Sequence, residues 1–290
     1  MGKVIAITGS SGFIGNEIIP YFNRQGYQII RMSREMIRDG AKLQTIVSEA
    51  DAIINLAGAS ILARWTGKKK SEIMDSRVET TRRIVSAINL ADEPPALFIS
   101  ASAIGLYDQH HEHTEASRYV KKDFLAQVIL EWEKEAEKIR NAKTRVVIFR
   151  LGIVLGRNGG MMKKMLTIIN FGLGTILGSG KQSFPVVHVD DVISAIQHVM
   201  MFEQSAGTYN LVAPFRATNK TFTKMLAKKM KKPVFLRIPE QVLRLVFLDG
   251  ATVLTEGQQV VPERLLGEGF AFRHETLNQC LDNILIPQSL

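Results

Sequence analysis

The chain has 290 residues, of which 46% are hydrophobic and 22% charged, the balance of a soluble globular protein with one large domain or two modest ones. Its single cysteine, Cys280, excludes an internal disulfide framework and points to a reduced, cytoplasmic setting. The formal charge is +9, but the lysine clusters are scattered, without interleaved aromatics or a nucleic-acid motif, so they read as solvated helix faces and nucleic acid is not the expected partner.

The first residues lack the basic run, apolar stretch and small-residue cleavage site of a signal peptide. Ala6 stands where a myristoylation signal wants Ser or Thr. No apolar run approaches the ~20 residues of a membrane span. "KVIAITG" is a short β-branched run ending at glycine and predicts a buried strand. A helix follows, with Ile14, Ile18, Ile19 and Phe22 on one face and Gly26 as its stop. "YQIIRMS" predicts a second strand, "LQTIVSEA" a helix, "DAIINLAG" a third strand, and residues 68–91 a long helix. "ALFISASA" is a further strand, followed by a helix through "DFLAQ" and the apolar stretch "TRVVIFRLGIVLG". This alternation is that of a Rossmann-type, doubly wound parallel α/β sheet. Residues 1–155 are expected to form a dinucleotide-binding domain. Residues 156–290 are expected to form mainly a smaller C-terminal substrate domain, with 186–212 returning to the sheet.

Gly9-Ser10-Ser11-Gly12-Phe13-Ile14-Gly15 closes the first predicted strand and opens the first predicted helix. That context gives the glycine spacing its meaning: a tight turn at Gly9, close backbone approach to a pyrophosphate at Gly12, and helix–strand packing at Gly15. The helix N-terminus then offers free N–H groups and a favourable dipole to the anion. At the end of the second strand, NAD enzymes place an acid and NADP enzymes often an arginine. This chain reads Arg31-Met32-Ser33-Arg34-Glu35. Ser33 and Arg34 suit a 2′-phosphate, with Arg31 adding charge, and weigh toward NADP; Glu35 falls in the window of an NAD-type acid.

The segments "ITGSSGFIG", "INLAGASI", "ISASAIGLY", "RLGIVLG", "VVHVDDVISAI" and "GTYNLVAP" together resemble an extended short-chain dehydrogenase/reductase. "INLAGASILARWTGKKKSEIMDSRVETT" and "VVPERLLGEGFAFR" resemble, more narrowly, its atypical "epimerase family" branch. The resemblance spans nearly the whole chain. It implies an NADP(H)-dependent protein acting by hydride transfer on a small hydroxyl or carbonyl compound, a sugar-like one among the candidates. It also implies that Leu56, Ala57 and Gly58 line the adenine–ribose side, that Glu72 and Arg77 contact NADP, and that Val154 borders the nicotinamide. Arg77 stands where ordinary extended members have Asn. From the residues alone, Glu72 and Arg77 read as a solvated helix face.

The same resemblance assigns Ser102 the role of the substrate-orienting serine. The family's Tyr and Lys, however, are replaced by Asp123 and Gln127. Tyr107 is then a candidate proton donor, or else a tyrosine that anchors a loop. "DQHHEHTE" reads as a mobile surface loop rather than a metal site, because its ligands are adjacent and no second cluster supports them. "GLGTILGSGKQ" lacks the spacing and the Ser or Thr of a phosphate-binding P-loop. No metal is expected. A non-catalytic NADP(H) sensor or docking protein is the alternative to an oxidoreductase.

Overall fold

The computed structural model describes residues 3–118 and 120–286. Its centre is a six-stranded sheet in the order Gly207–Leu211, Arg145–Leu151, Leu97–Ala103, Ala52–Asn55, Val4–Thr8, Gln28–Met32. Every neighbouring pair is parallel. Val4–Thr8, Ala52–Asn55 and Leu97–Ala103 are almost wholly buried, as a sheet covered on both faces requires. The first strand lies between the second and the third. The two crossovers therefore leave it on opposite sides and open a crevice at the carboxyl ends, where α/β sheets bind ligands.

The helices cover both faces. In Phe13–Arg24, Ile18, Ile19 and Phe22 are buried against one side of the sheet together with Ile193, Ile196 and Val199 of the helix Val189–Met201. Each such side chain contributes roughly 1.5–3 kcal/mol on burial. The helix Gly67–Leu90 starts at Thr66, whose hydroxyl accepts from the Lys69 amide, an N-cap worth about 1 kcal/mol. It packs Ile84, Val85 and Ile88 into the opposite core.

"TRVVIFRLGIVLG" is not one strand. The chain leaves the main sheet at Gly152, whose amide donates to Leu211 O, and Ile153–Leu155 pairs instead with Val186–His188. A separate apolar cluster gathers Leu155 of that short strand and Phe184 of the loop before Val186 with Met162, Phe222, Leu226 and Leu281 of the later helices. Beside it, Gly174–Leu177 pairs with Val234–Ile238. The "PER" segment covers the sheet edge. Arg264 donates to the carbonyls of Ala206 and Thr208 and lies 4.2 Å over the Tyr209 ring; Phe270 and Phe272 are core residues. Among the described residues no helix is long and apolar enough to cross a membrane.

Candidate functional site

Thr8 and Asn55, at the ends of the first and third strands, lock the crevice open. The Thr8 hydroxyl donates to Asn55 Oδ1 at 2.7 Å and accepts from the amides of Leu56 and Ala57, each at 3.0 Å. Asn55 Nδ2 in turn donates to Thr81 Oγ1 at 2.8 Å. All three side chains are fully buried, so the network fixes Leu56–Gly58 against the glycine turn. Gly9 makes that turn at φ +65°, and a β-carbon there would lie 2.6 Å from Leu56 O. Gly12 is the N-cap of the helix that follows, so the first-turn amides lack intrahelical acceptors and favour an anion.

Two cavities meet at this turn, and Leu56, Ala57 and Gly58 line both. The larger, about 1020 Å³, is bounded by Gly9–Gly12 and by the end of the second strand. Ser33 there caps the short helix Arg34–Arg38 by accepting from the Met36 amide. Arg31, Arg34, Arg38 and Arg83 all line this cavity, and none of the four is ion-paired to a carboxylate among the described residues. Glu35 and Glu72 lie in the same wall; Glu72 pairs with Lys69 at 3.0 Å. The sequence singled out Arg31 and Arg34 but not Arg38 or Arg83, which arrive from a helix end and from a distant helix.

The smaller cavity, about 410 Å³, is lined by Phe13, Ile14, Arg77, Ser102, Val154 and a set of apolar side chains. Arg77 donates to the carbonyls of Ile73 and Ala59, each at 3.1 Å, and lies 5.4 Å over the Trp132 ring. Its burial lowers the guanidinium to about 10, so it stays charged at neutral pH. The backbone of Gly58 rests on it: a β-carbon at Gly58 would lie 2.9 Å from Arg77 Cζ. Glu72 and Arg77, five positions apart on one helix, thus face different cavities.

Ser102 is the next-to-last residue of the strand Leu97–Ala103. Its hydroxyl donates to Glu133 Oε1 at 2.5 Å. Arg150 grips that carboxylate with Nε at 2.8 Å and Nη2 at 2.6 Å. Burial disfavours the Arg150 charge, but the bonds and charge of Glu133 outweigh it and raise its pKa. Nothing in "EWEKEAEK" distinguishes Glu133 from its solvated neighbours, and the sequence reading missed both residues.

Tyr107 does not line either cavity. It is fully buried and stacked on His113 at 4.6 Å. Its hydroxyl accepts from Arg150 at 2.7 Å and meets Asn210 Oδ1 at 2.9 Å and Thr114 O at 3.2 Å. Burial raises its pKa against the opposing pull of Arg150. This is the anchoring arrangement rather than that of a proton donor at the cavity. Asp123 is the N-cap of the helix Phe124–Ala136, accepting from the Ala126 amide at 2.8 Å, and Gln127 is exposed. The mobile-loop reading of "DQHHEHTE" also gives way at its end: Glu112–His113 pairs with Gln259–Val260, and His113 is fully buried. Elsewhere, His188, Asp190 and His274 bring one potential ligand atom each within 4.8 Å. Their Nδ1 atoms, however, already serve the Asp190 amide and Asp191.

A family model described as NAD dependent epimerase/dehydratase family matches residues 5–211, and one described as a domain of unknown function (DUF1731) matches residues 238–284. The chain belongs to the NAD dependent epimerase/dehydratase family. Within that family, an epimerase family protein of Staphylococcus saprophyticus is 31% identical over 98% of this chain and 99% of its own. The structure of human epimerase family protein SDR39U1 (isoform 2) with NADPH superposes with a TM-score of 0.90 at 32% identity, covering 97% of this chain and 98% of that one. The dTDP-4-dehydrorhamnose reductase of Bacillus anthracis, solved with NADP, shares the fold at a TM-score of 0.80 and 16% identity, covering 99% of each chain.

Proposed function

We propose that this family member is an NADP(H)-binding oxidoreductase acting on a small hydroxyl or carbonyl compound, without the Tyr and Lys of ordinary members. The observation that carries the reading is the wall of the larger cavity: Ser33 with Arg31, Arg34, Arg38 and Arg83, four arginines free of carboxylate partners among the described residues. A ribose 2′-phosphate supplies the charge those guanidinium groups lack. Glu35 shares the wall but is outnumbered. The pyrophosphate fits the Gly9–Gly12 turn and the helix start, and Leu56–Gly58 lead to Val154 in the smaller cavity. The NADPH-bound human relative supports the same choice.

When bound, the nicotinamide supplies or accepts hydride. The chain's own part is to orient the substrate oxygen at Ser102 and to keep water out of an apolar chamber. Calorimetric titration with NADPH and NADH tests the reading: at least tenfold tighter binding of NADPH is expected, by the strength of charge-assisted phosphate bonds. Equal affinities would refute it. The position of Tyr107 outside the cavities, with Asp123 as a helix cap, favours a second reading, an NADP(H) binder without turnover. Tight NADPH binding with no oxidation of NADPH across a carbonyl panel would favour that one.

A further inference from the structure

The smaller cavity has a chemical character of its own. Ile61, Leu125, Ile129, Trp132, Leu177 and Phe184 supply much of its wall. Three charged side chains reach it, Arg77, Lys121 and Glu256. Lys121 is bonded to Glu256 and lies 3.6 Å from Asp123, so its charge is already matched. Arg77 is held by two carbonyls beside Gly58, at the residues that the two cavities share. Lys121 is thus matched, and Arg77, without a carboxylate partner among the described residues, stands at the junction with the larger cavity. The one polar group at the end of a sheet strand is Ser102, bonded to Glu133.

We propose that this chamber takes a small, uncharged, mostly apolar molecule with one hydroxyl or carbonyl oxygen turned to Ser102, and not a nucleoside diphosphate sugar. The inference rests on the dinucleotide reading in one respect, since the nicotinamide end shares the chamber. A nucleoside diphosphate brings two negative charges. Those charges need cations or hydrogen-bond donors in place of water, and an unpaired charge in an apolar wall is strongly unfavourable. A hexose brings several hydroxyl groups that each need a partner; besides Ser102 and the three charged residues, the uncharged polar side chains of this wall are Ser183, Thr252 and Gln258, set among a larger apolar lining. Size argues the same way. A volume of about 410 Å³ lies low in the range of roughly 300–1,000 Å³ typical of ligand pockets, and part of it belongs to the nicotinamide. One ring system fits the remainder better than a nucleoside with a hexose.

The test uses the full chain with Trp65→Phe, which leaves Trp132, in the cavity wall, as the sole tryptophan. Tryptophan fluorescence is titrated with 1-phenylethanol, acetophenone, UDP and UDP-glucose, with and without saturating NADP. Saturable quenching by the two apolar compounds and none by UDP-glucose is expected. Leu125→Ala should weaken the apolar ligands on the order of tenfold, by the methylene contacts it removes. Saturable binding of UDP-glucose, or failure of both apolar compounds to saturate in a protein that binds NADP, would overturn the proposal. A protein that binds no NADP yet still takes up 1-phenylethanol would fail the cofactor reading and support this one.

Discussion

Ser102 gives its hydroxyl proton to Glu133 over 2.5 Å, and Arg150 holds both oxygens of that same carboxylate. The pair is nearly dry, with side-chain exposures of 6% for Glu133 and 12% for Arg150. With its proton on the Glu133 side, Ser102 turns lone pairs to the cavity, where a ligand hydroxyl can donate to them; rotated outward, the hydroxyl gives that proton to a ligand carbonyl at the loss of the Glu133 bond.

The first prediction separates the charge of this pair from its shape. Glu133→Gln leaves the Arg150 guanidinium buried without a counter-charge and should cost about 3–5 kcal/mol of stability. Adding Arg150→Met should recover much of that loss, because a buried pair replaced as a unit is nearly neutral. Urea unfolding of the two single variants and the double variant measures the coupling. Additive losses would mean that the two residues do not act as a pair.

Tyr107→Phe removes a buried hydroxyl with three partners and should cost about 1–3 kcal/mol. It should leave NADP binding and the Trp132 response to 1-phenylethanol unchanged, since Tyr107 lines neither cavity. Its raised pKa also sets a sign. The folded state holds this proton more tightly than the unfolded chain, so the contribution is complete below the ordinary tyrosine range near ~10 and declines as pH climbs above it. Wild-type stability should therefore fall more steeply than that of Tyr107→Phe above that range. Parallel curves in urea unfolding across alkaline pH would count against the assignment.

Arg34→Glu tests the cofactor wall at one side chain. Losing a charge-assisted bond worth about 1.5–3 kcal/mol should lower NADPH affinity ten- to hundredfold. NADH affinity should be little changed, so the two cofactors become comparable. Titration calorimetry reads both. Arg38→Ala, at a position sequence reasoning did not single out, should show a smaller loss in the same direction.

Cys280 lies in the apolar cluster of the later helices, and burial pushes its thiol up to about 12. Thiolate is then scarce at pH 8, and iodoacetamide should label the native chain only through opening. Because the folded pKa exceeds the unfolded one, the stability contribution is present below about 9 and is lost as pH rises toward 12. Labelling at pH 8 that is fast without urea would show the thiol to be accessible.

The strands and first helices were legible because their signals are local. "VIAIT" ends in a glycine turn, Ile14 to Phe22 repeat at helical spacing, and the sheet requires nothing more. Gly9 to Gly12 and Ser33–Arg34 stood out for the same reason, since a turn and a strand end mark their own positions. Arg83 and Glu133 carry no local mark. Each sits in a charged helix, and only the packing of that helix decides whether it meets solvent, a cavity or a buried arginine. The two readings of Tyr107 were inseparable in sequence, because the choice rests on His113, Asn210 and Arg150, all brought to it by the fold. "FRLGIVLG" hides its break, because its apolar pattern runs on through Gly152, where the hydrogen-bond partner changes from one sheet to another.

Gly58 and Arg77 allow a final test, placed where the two cavities join. A β-carbon at Gly58 would lie 2.9 Å from both Cζ and Nη2 of Arg77, well inside contact distance. The guanidinium is the mobile end of its side chain, so it can move, but only by releasing the carbonyls of Ala59 and Ile73. Two hydrogen bonds at about 0.5–1.5 kcal/mol each put the cost of Gly58→Ala at roughly 1–3 kcal/mol of stability. NADPH affinity should fall as well, because Gly58 and Arg77 stand on the path between the two halves of the site. Arg77→Asn places at this position the residue that ordinary extended members carry and removes the obstacle to the new methyl group. The double variant should then be more stable than the sum of the single losses predicts, the signature of two residues in contact. Strict additivity in urea unfolding, or an unchanged NADPH titration for Gly58→Ala, would show that this contact does not govern the junction.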